Sequence, residues 1–200
     1  MAIRFEKISD SNFKDFRCLM CTDDISKQCF CYNHRVEPKD LELEEVAAAK
    51  MGLLVGRRKV HGLIALEDGE PIAWIGIEPW PSLIGHDCFE MLLNNEKYGP
   101  YADEAWAIHC MFIRESHRGQ KLSSALVREA IQYAVDRGAE KILAFPPPAA
   151  IAQRMHVSEK FSGTIGLFLE HGFQELGKLS GHYLLYELKP QTQKPRLKLV

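Results

Sequence analysis

Ile108–Ala134 reads I-H-C-M-F-I-R-E-S-H-R-G-Q-K-L-S-S-A-L-V-R-E-A-I-Q-Y-A, and this stretch decides the fold. An apolar strand runs into the polar turn Arg114–Lys121 and straight on into an amphipathic helix. Leu122, Leu126, Ala130 and Ala134 form one stripe of that helix, with Val127, Ile131 and Val135 beside it. Gly138 ends the helix ahead of another apolar run. Strand (Ala105–Ile113), helix (Gly119–Arg137) and strand (Lys141–Phe145), over about 40 residues, make a βαβ unit whose strands are parallel. The helix start is thereby presented at the carboxyl end of a strand. Its unpaired N–H groups and positive dipole end suit phosphate or pyrophosphate. Arg118 and Lys121 add cations there, and Ser123 and Ser124 add hydroxyl donors. An ordinary capped βα turn would use the same residue types.

Outward from this unit, the alternation in Ile3–Ile8 predicts an opening strand. Ser9-Asp10-Ser11 can cap a helix bearing Phe13, Phe16 and Leu19. A second helix is expected from Pro38-Lys39-Asp40 to Gly56. Asp68-Gly69 between the runs His61–Leu66 and Pro71–Ile77 predicts a hairpin. Pro79-Trp80-Pro81 ends it, and a connection of about 26 residues follows, a length that is usually functional or holds a short helix. A final helix, Phe161–His171, precedes strands at Phe173–Leu179 and His182–Leu188. The expected order is β-α-α-β-β-β-α-β-α-β-β. Residues 1–188 read as one domain and 189–200 as a solvated basic tail with Lys189, Lys194, Arg196 and Lys198.

Composition narrows the function classes. Lys plus Arg number 25 against 27 Asp plus Glu, a net charge of −2. That balance does not suit a polybasic nucleic-acid binder. A hydrophobic content of 46%, with 10 Phe, 6 Tyr and 3 Trp, supplies a core and argues against disorder. No apolar run approaches the ~20 residues of a membrane span. The start Met-Ala-Ile-Arg-Phe-Glu has no apolar leader segment. A soluble, cytoplasmic protein is expected, with no nucleic-acid or membrane partner.

The 6 cysteines are expected as reduced thiols in that compartment. Cys18-x-x-Cys21, Cys29-x-Cys31 and His34 have the residue types of a zinc site. Turn glycines beside each pair are missing, so the alternative is packing, with Cys18 and Cys21 buried on one helix face. No metal is expected.

Arg118-Gly119-Gln120-Lys121-Leu122-Ser123 resembles the pyrophosphate loop of the GNAT superfamily of acyl-CoA N-acyltransferases, whose usual pattern is Gln or Arg, two residues, Gly, one residue, then Gly or Ala. Met111-Phe112-Ile113 before it, Ala125-Leu126 in the helix and Arg137-Gly138-Ala139 after it strengthen the likeness. Leu167–Phe173, ending Gly-Phe, resembles the family's last helix. The likeness is clear over about 60–188. Cys29-Phe30-Cys31-Tyr32 and Phe161-Ser162-Gly163-Thr164 are similar to a branch whose substrate is not assigned. The fold implied is α/β (α+β in some schemes), a mixed, mostly antiparallel sheet flanked by helices around a central βαβ unit. The activity implied is acyl transfer from acetyl-CoA to a primary amine of a small molecule or peptide. A homodimer is an allowed assembly. Two positions depart from the pattern. Lys121 and Ser123 stand where Gly and Gly or Ala are usual, and Phe168 stands where many members place a tyrosine that protonates the leaving thiolate.

The resemblance places CoA contacts at Met111, Phe112, Ile113, Arg118, Gly119, Gln120, Lys121, Leu122, Ser123 and Ser124. Glu104 and His109 are candidate bases, each also readable as a structural polar group. Strand alternation groups His109 with Ala107 and Met111, and Cys110 with Ile108 and Phe112. Cys29, Cys31, Tyr32 and Trp80 are candidates for lining the acceptor pocket, with packing as the alternative for the cysteines. Asp87, Glu90, Asp103 and Glu104 would suit a cationic acceptor. The other reading is an acyl-CoA-binding protein with little catalysis, acting as a sensor or partner; Lys121 and Phe168 are the residues that would support it.

Overall fold

The computed structural model describes residues 2–37, 40, 44–86, 88–102, 104–155, 161–179 and 183–190. Strands β1 (Ile3–Lys7), β2 (Gly62–Glu67), β3 (Glu70–Pro79), β4 (Trp106–Ile113), β5 (Ile142–Ala144), β6 (Gln174–Lys178) and β7 (Leu184–Leu188) form one 7-stranded sheet in the order β1-β2-β3-β4-β5-β7-β6. Every pairing is antiparallel except β4 with β5. The mixed α/β fold and its central parallel pair are those expected from the sequence.

Local chemistry explains the elements. Asp68 (φ 50) and Gly69 (φ 89) both take positive φ in the β2–β3 turn, matching the right-handed twist of the two strands. Helix α6 (Leu122–Val135) buries Leu122, Leu126, Val127, Ala130 and Ala134, the stripe legible in the sequence. It covers the sheet face formed by Ile75, Ile77, Ile108 and Ile142, together with Phe168 of helix α8 (Ile165–Glu170). On the opposite face, helices α1 (Phe13–Met20), α2 (Ser26–Cys29) and α3 (Glu44–Gly56) pack Phe16, Leu19 and Met51 onto Ile64, Trp74 and Phe112. Farther along that face, Trp80, Leu92 of helix α4 (Phe89–Leu93) and Phe145 close the core. The long connection thus holds α4 and α5 (Gly99–Ala102), and the segment after β5 holds α7 (Ala149–Ala152).

Three expectations need correction or limits. Cys18 and Cys21 are exposed rather than buried, because α1 turns Phe16, Leu19 and Met20 inward instead. A β-bulge breaks the alternation of β4: Gly76 pairs with Cys110 but Ile77 with Ile108, leaving His109 as the extra residue. Ile108 and Met111 therefore share the α6 face, while Cys110 and Phe112 pack on the α1 face. The expected second-helix start at Pro38-Lys39 and Leu41, and the tail beyond Pro190, lie outside the described residues.

Candidate functional site

After β4 the chain makes a short 3-10 turn, Glu115–His117, and reaches α6 through Arg118–Lys121. Gly119 (φ 77) and Lys121 (φ 61) both adopt left-handed backbone. Lys121 thus takes the conformation that glycine adopts at lower cost. Among the described residues, the N–H groups of Gly119, Gln120, Lys121, Leu122 and Ser123 donate no hydrogen bond, whereas Ser124 and Ala125 donate to the Lys121 carbonyl. These orphan donors and the helix dipole converge on the solvent side of the turn. Arg118 folds back, its Nε donating to the Ile113 carbonyl at 3.0 Å. The Ser124 hydroxyl is engaged by Glu170 Oε1 (2.8 Å) and His171 Nε2 (3.0 Å) at the end of α8.

Beside this turn the sheet opens. The β4–β5 ladder runs only from Trp106–Ile142 to Ile108–Ala144. Pro146, Pro147 and Pro148 follow, and proline has no N–H with which to extend it. The gap leaves the edge of β4 from His109 onward unpaired by β5. Part of it is taken: the Met111 N–H donates to the Phe161 carbonyl at 2.7 Å. Gly163 (φ 78) lets that segment pass close to the Phe168 ring and the Met111 methyl. Phe168 is fully buried and packs edge-on against Phe173 at 5.1 Å, so its position is one of core packing.

On the α1 face, the bulge sets His109 into a buried polar cluster. His109 is 2% exposed, and neither ring nitrogen has a hydrogen-bond partner among the described residues. The His34 ring lies 5.3 Å away, and His34 in turn lies 5.3 Å from His86. Burial, reinforced by the positive charge of Arg35, holds the His109 pKa well below that of free histidine. Burial also takes His86 down to about 4. Both rings are neutral at pH 7. The Arg35 side chain donates to the Cys31 carbonyl and to the Glu78 carboxylate. Burial lowers Arg35 to about 10, which leaves it charged at neutral pH. Glu78 also accepts from the His61 N–H (3.2 Å) and from the Ser82 hydroxyl (3.1 Å).

Cys31 and Cys110 place their sulfurs 3.1 Å apart in the same cluster. The Cys110 S–H lowers the Cys31 pKa and is itself raised by that contact. Phe30 (φ 47) and Cys31 (φ 52) are both left-handed, so the chain bends sharply to seat this pair. Cys31 and Tyr32 are packed with Phe16, Trp74 and Phe112, and Cys29 is half-buried. Among the described residues no group of 3 or more His, Cys, Asp or Glu side chains is placed to hold a metal ion.

Other expected positions fall elsewhere. Glu104 precedes β4, at the end away from the loop; its side chain is 78% exposed and pairs with Lys141 at 3.6 Å. Trp80, expected to line the acceptor pocket, is 1% exposed and packs among Phe89, Phe145 and His86, because the 3-10 turn Trp80–Ser82 folds it inward. Glu90 is exposed, and Asp87 and Asp103 lie outside the described residues. Sequence reasoning missed Arg35, Glu78 and His86. No local signal marked them: Glu78 stands directly before Pro79-Trp80-Pro81, where a carboxylate reads as an ordinary strand end.

A sequence model of the Acetyltransferase (GNAT) family matches residues 22–163. None of the curated proteins compared with this chain matches it. Among solved structures, the GNAT domain of S. lividans PAT is 14% identical with a TM-score of 0.55, covering 94% of this chain and 90% of its own. Diaminobutyrate acetyltransferase from Paenibacillus lautus, in complex with L-2,4-diaminobutyric acid and coenzyme A, is 14% identical with a TM-score of 0.52, covering 94% and 95%. Ribosomal-protein-alanine N-acetyltransferase from Brucella melitensis is 14% identical with a TM-score of 0.54, covering 95% and 100%. At such identities these likenesses speak for the fold, and the sequence model, which takes in more than half of the chain, speaks for descent. The loop of orphan N–H groups, the parted strands and the family match together make this chain a member of the GNAT acetyltransferase family.

Proposed function

We propose that the protein transfers an acyl group from acetyl-CoA to a primary amine of a small molecule or peptide, within one ternary complex. The carrying observation is the run of unpartnered N–H groups from Gly119 to Ser123 at the start of α6. In this reading the CoA pyrophosphate sits on them, with the Lys121 ammonium beside it and Arg118 bracing the turn. The pantetheine lies along the β4 edge where β5 has parted, so the thioester reaches Met111 and Ile113. The Ile113 N–H would polarise the carbonyl, a contribution of ~3–4 kcal/mol, and the Met111 N–H on the same side of the strand would join it only once it leaves the Phe161 carbonyl.

His109 is the base best supported by the geometry. It is neutral at pH 7, its nitrogens are unpartnered among the described residues, and it lies on β4 next to the gap. Taking the proton from an alkylammonium typically contributes ~10²–10⁴-fold. That proton then passes to solvent; half-buried His34 is the neighbouring imidazole, 5.3 Å away ring to ring. The neutral amine nitrogen then bonds to the thioester carbon, the carbon–sulfur bond breaks, the nitrogen gives up its second proton to His109 or water, and the CoA thiolate takes up a proton from water or a hydroxyl. Thr164 Oγ1 accepts from the Leu167 N–H and keeps its own proton to give. Glu104 faces solvent beyond the far end of β4, which leaves His109 as the better candidate.

The test is acetyl-CoA-dependent release of free thiol across a panel of amines, amino acids and aminoglycosides. Turnover with at least one class, falling about 10²–10⁴-fold in kcat/KM for His109→Gln, is expected. Wild-type turnover by that variant would remove His109 from the mechanism. One observation favours a second reading, acyl-CoA binding with little turnover: the Phe161 carbonyl occupies the Met111 N–H. Saturable thermal stabilisation by acetyl-CoA without thiol release from any amine distinguishes it.

A further inference from the structure

A second concavity, about 510 Å³ in volume, lies far from the loop after β4. It sits against the last turn of α6, and α6 is about 20 Å long at 1.5 Å per residue. Its floor is apolar: Ile8, Val55 and Val60 are buried beneath it. Its rim is cationic. Lys7, Arg58 and Arg137 come from three separate segments and face one carboxylate, Asp10. Among the described residues no carboxylate stands within ion-pair distance of these cations, although the chain as a whole carries more acidic than basic residues.

Two features show how the rim is held. Arg58 terminates α3: its N–H donates to the Val55 carbonyl (2.8 Å), and the Lys59 N–H to the Leu54 carbonyl (2.9 Å). Its φ is 56, the left-handed conformation for which a helix end ordinarily selects glycine. An arginine there runs against local backbone preference, and it lines the cavity. Arg137 is braced differently. Its guanidinium lies 3.5 Å over the Tyr133 ring and donates to the Tyr133 carbonyl at 2.9 Å. Tyr133 Oη meets His61 Nδ1 at 3.0 Å. Burial, and after it the charges of Arg137 and Arg35, lower the His61 pKa.

We propose that this cavity binds a small organic oxyanion carrying two or more negative charges, a di- or tricarboxylate or a phosphomonoester. Convergent Arg and Lys side chains fit carboxylate and phosphate oxygens, and the apolar floor fits a compact carbon body. The cavity is separate from the site proposed for acetyl-CoA, which lies at the opposite end of α6.

Calorimetry and melting scans with citrate and with glycerol 3-phosphate test this on the full chain, against sodium chloride at matched ionic strength. Saturable binding of either is expected, and which one binds more tightly identifies the carboxylate or the phosphate source. The decisive variant is Arg58→Gly, which removes the guanidinium while suiting the left-handed backbone. It should melt at or above the wild-type temperature, weaken anion binding about tenfold or more, and leave the acetyl-CoA response unchanged. Arg137→Gln should weaken binding similarly. A response reproduced by sodium chloride, no saturation by either anion, or affinities untouched in both variants would overturn the proposal.

Discussion

The Arg35 guanidinium donates to the Glu78 carboxylate with both side chains out of solvent, 4% and 0% exposed. A charge pair in this setting stabilises little over an apolar pair, but either half left alone is costly. Glu78→Ala and Arg35→Ala should each destabilise the fold by about 3–5 kcal/mol. The double variant Arg35→Met/Glu78→Met should recover most of that loss. Urea unfolding at pH 7 measures all three, and additive single losses in the double variant would contradict the pairing.

Gly76 faces the His109 ring so closely that a Cβ at that position would overlap Nε2 and Cε1. Gly76→Ala must push the imidazole aside within a packed core, at a cost of about 1–3 kcal/mol. Because the displaced ring is the proposed base, kcat/KM should fall more than KM changes. Chemical denaturation and steady-state kinetics on one preparation read both effects.

His86 is lowered to about 4 by burial, and His109 is lowered well below its usual value. The unfolded chain therefore binds protons more readily than the native state below about pH 6.5. Stability is fully present above that pH and is lost as pH falls towards 4, by about 3 kcal/mol for His86 alone. Urea midpoints from pH 7.5 to 4.5 should fall accordingly, and less steeply in His86→Leu.

Lys121 holds a left-handed backbone at the start of α6. Lys121→Gly should raise stability by about 1 kcal/mol by relieving that conformation. The same change removes a cation, so acetyl-CoA binding should weaken and depend less on salt. Titration calorimetry at two ionic strengths checks the second half.

Thiol accessibility orders the cysteines. Cys18 and Cys21 are exposed, Cys29 is intermediate, and Cys31, Cys88 and Cys110 are buried. Under native conditions an aromatic disulfide reagent should label Cys18 and Cys21 first, and the buried group only on unfolding. Peptide mapping of the labelled chain gives the order directly.

Much of the architecture is written in local pattern. The stripe from Leu122 to Ala134 forms a helix whatever surrounds it, the Asp68-Gly69 turn joins its strands by backbone preference alone, and strand–helix–strand enforces the parallel β4–β5 pair. The turn of unpartnered N–H groups before α6 is equally local, since a helix start needs only its own unpaired N–H groups. These features depend on residues within a few positions of one another, which is what a linear reading detects.

The buried cluster is of another kind. One extra residue in β4 opposite Gly76–Ile77 moves His109 out of the alternation and reverses the expected relation between Cys110 and Ile108. A bulge depends on how two strands register across the sheet, and β4 alone does not specify it. Arg35 and Glu78 are 43 positions apart, and Cys31 and Cys110 are 79 apart. The sequence by itself determined the βαβ unit, the hairpin and the loop, because those follow from periodicity and backbone preference. Only the tertiary structure decided which polar groups share the interior, because desolvation acts on whatever the fold brings together.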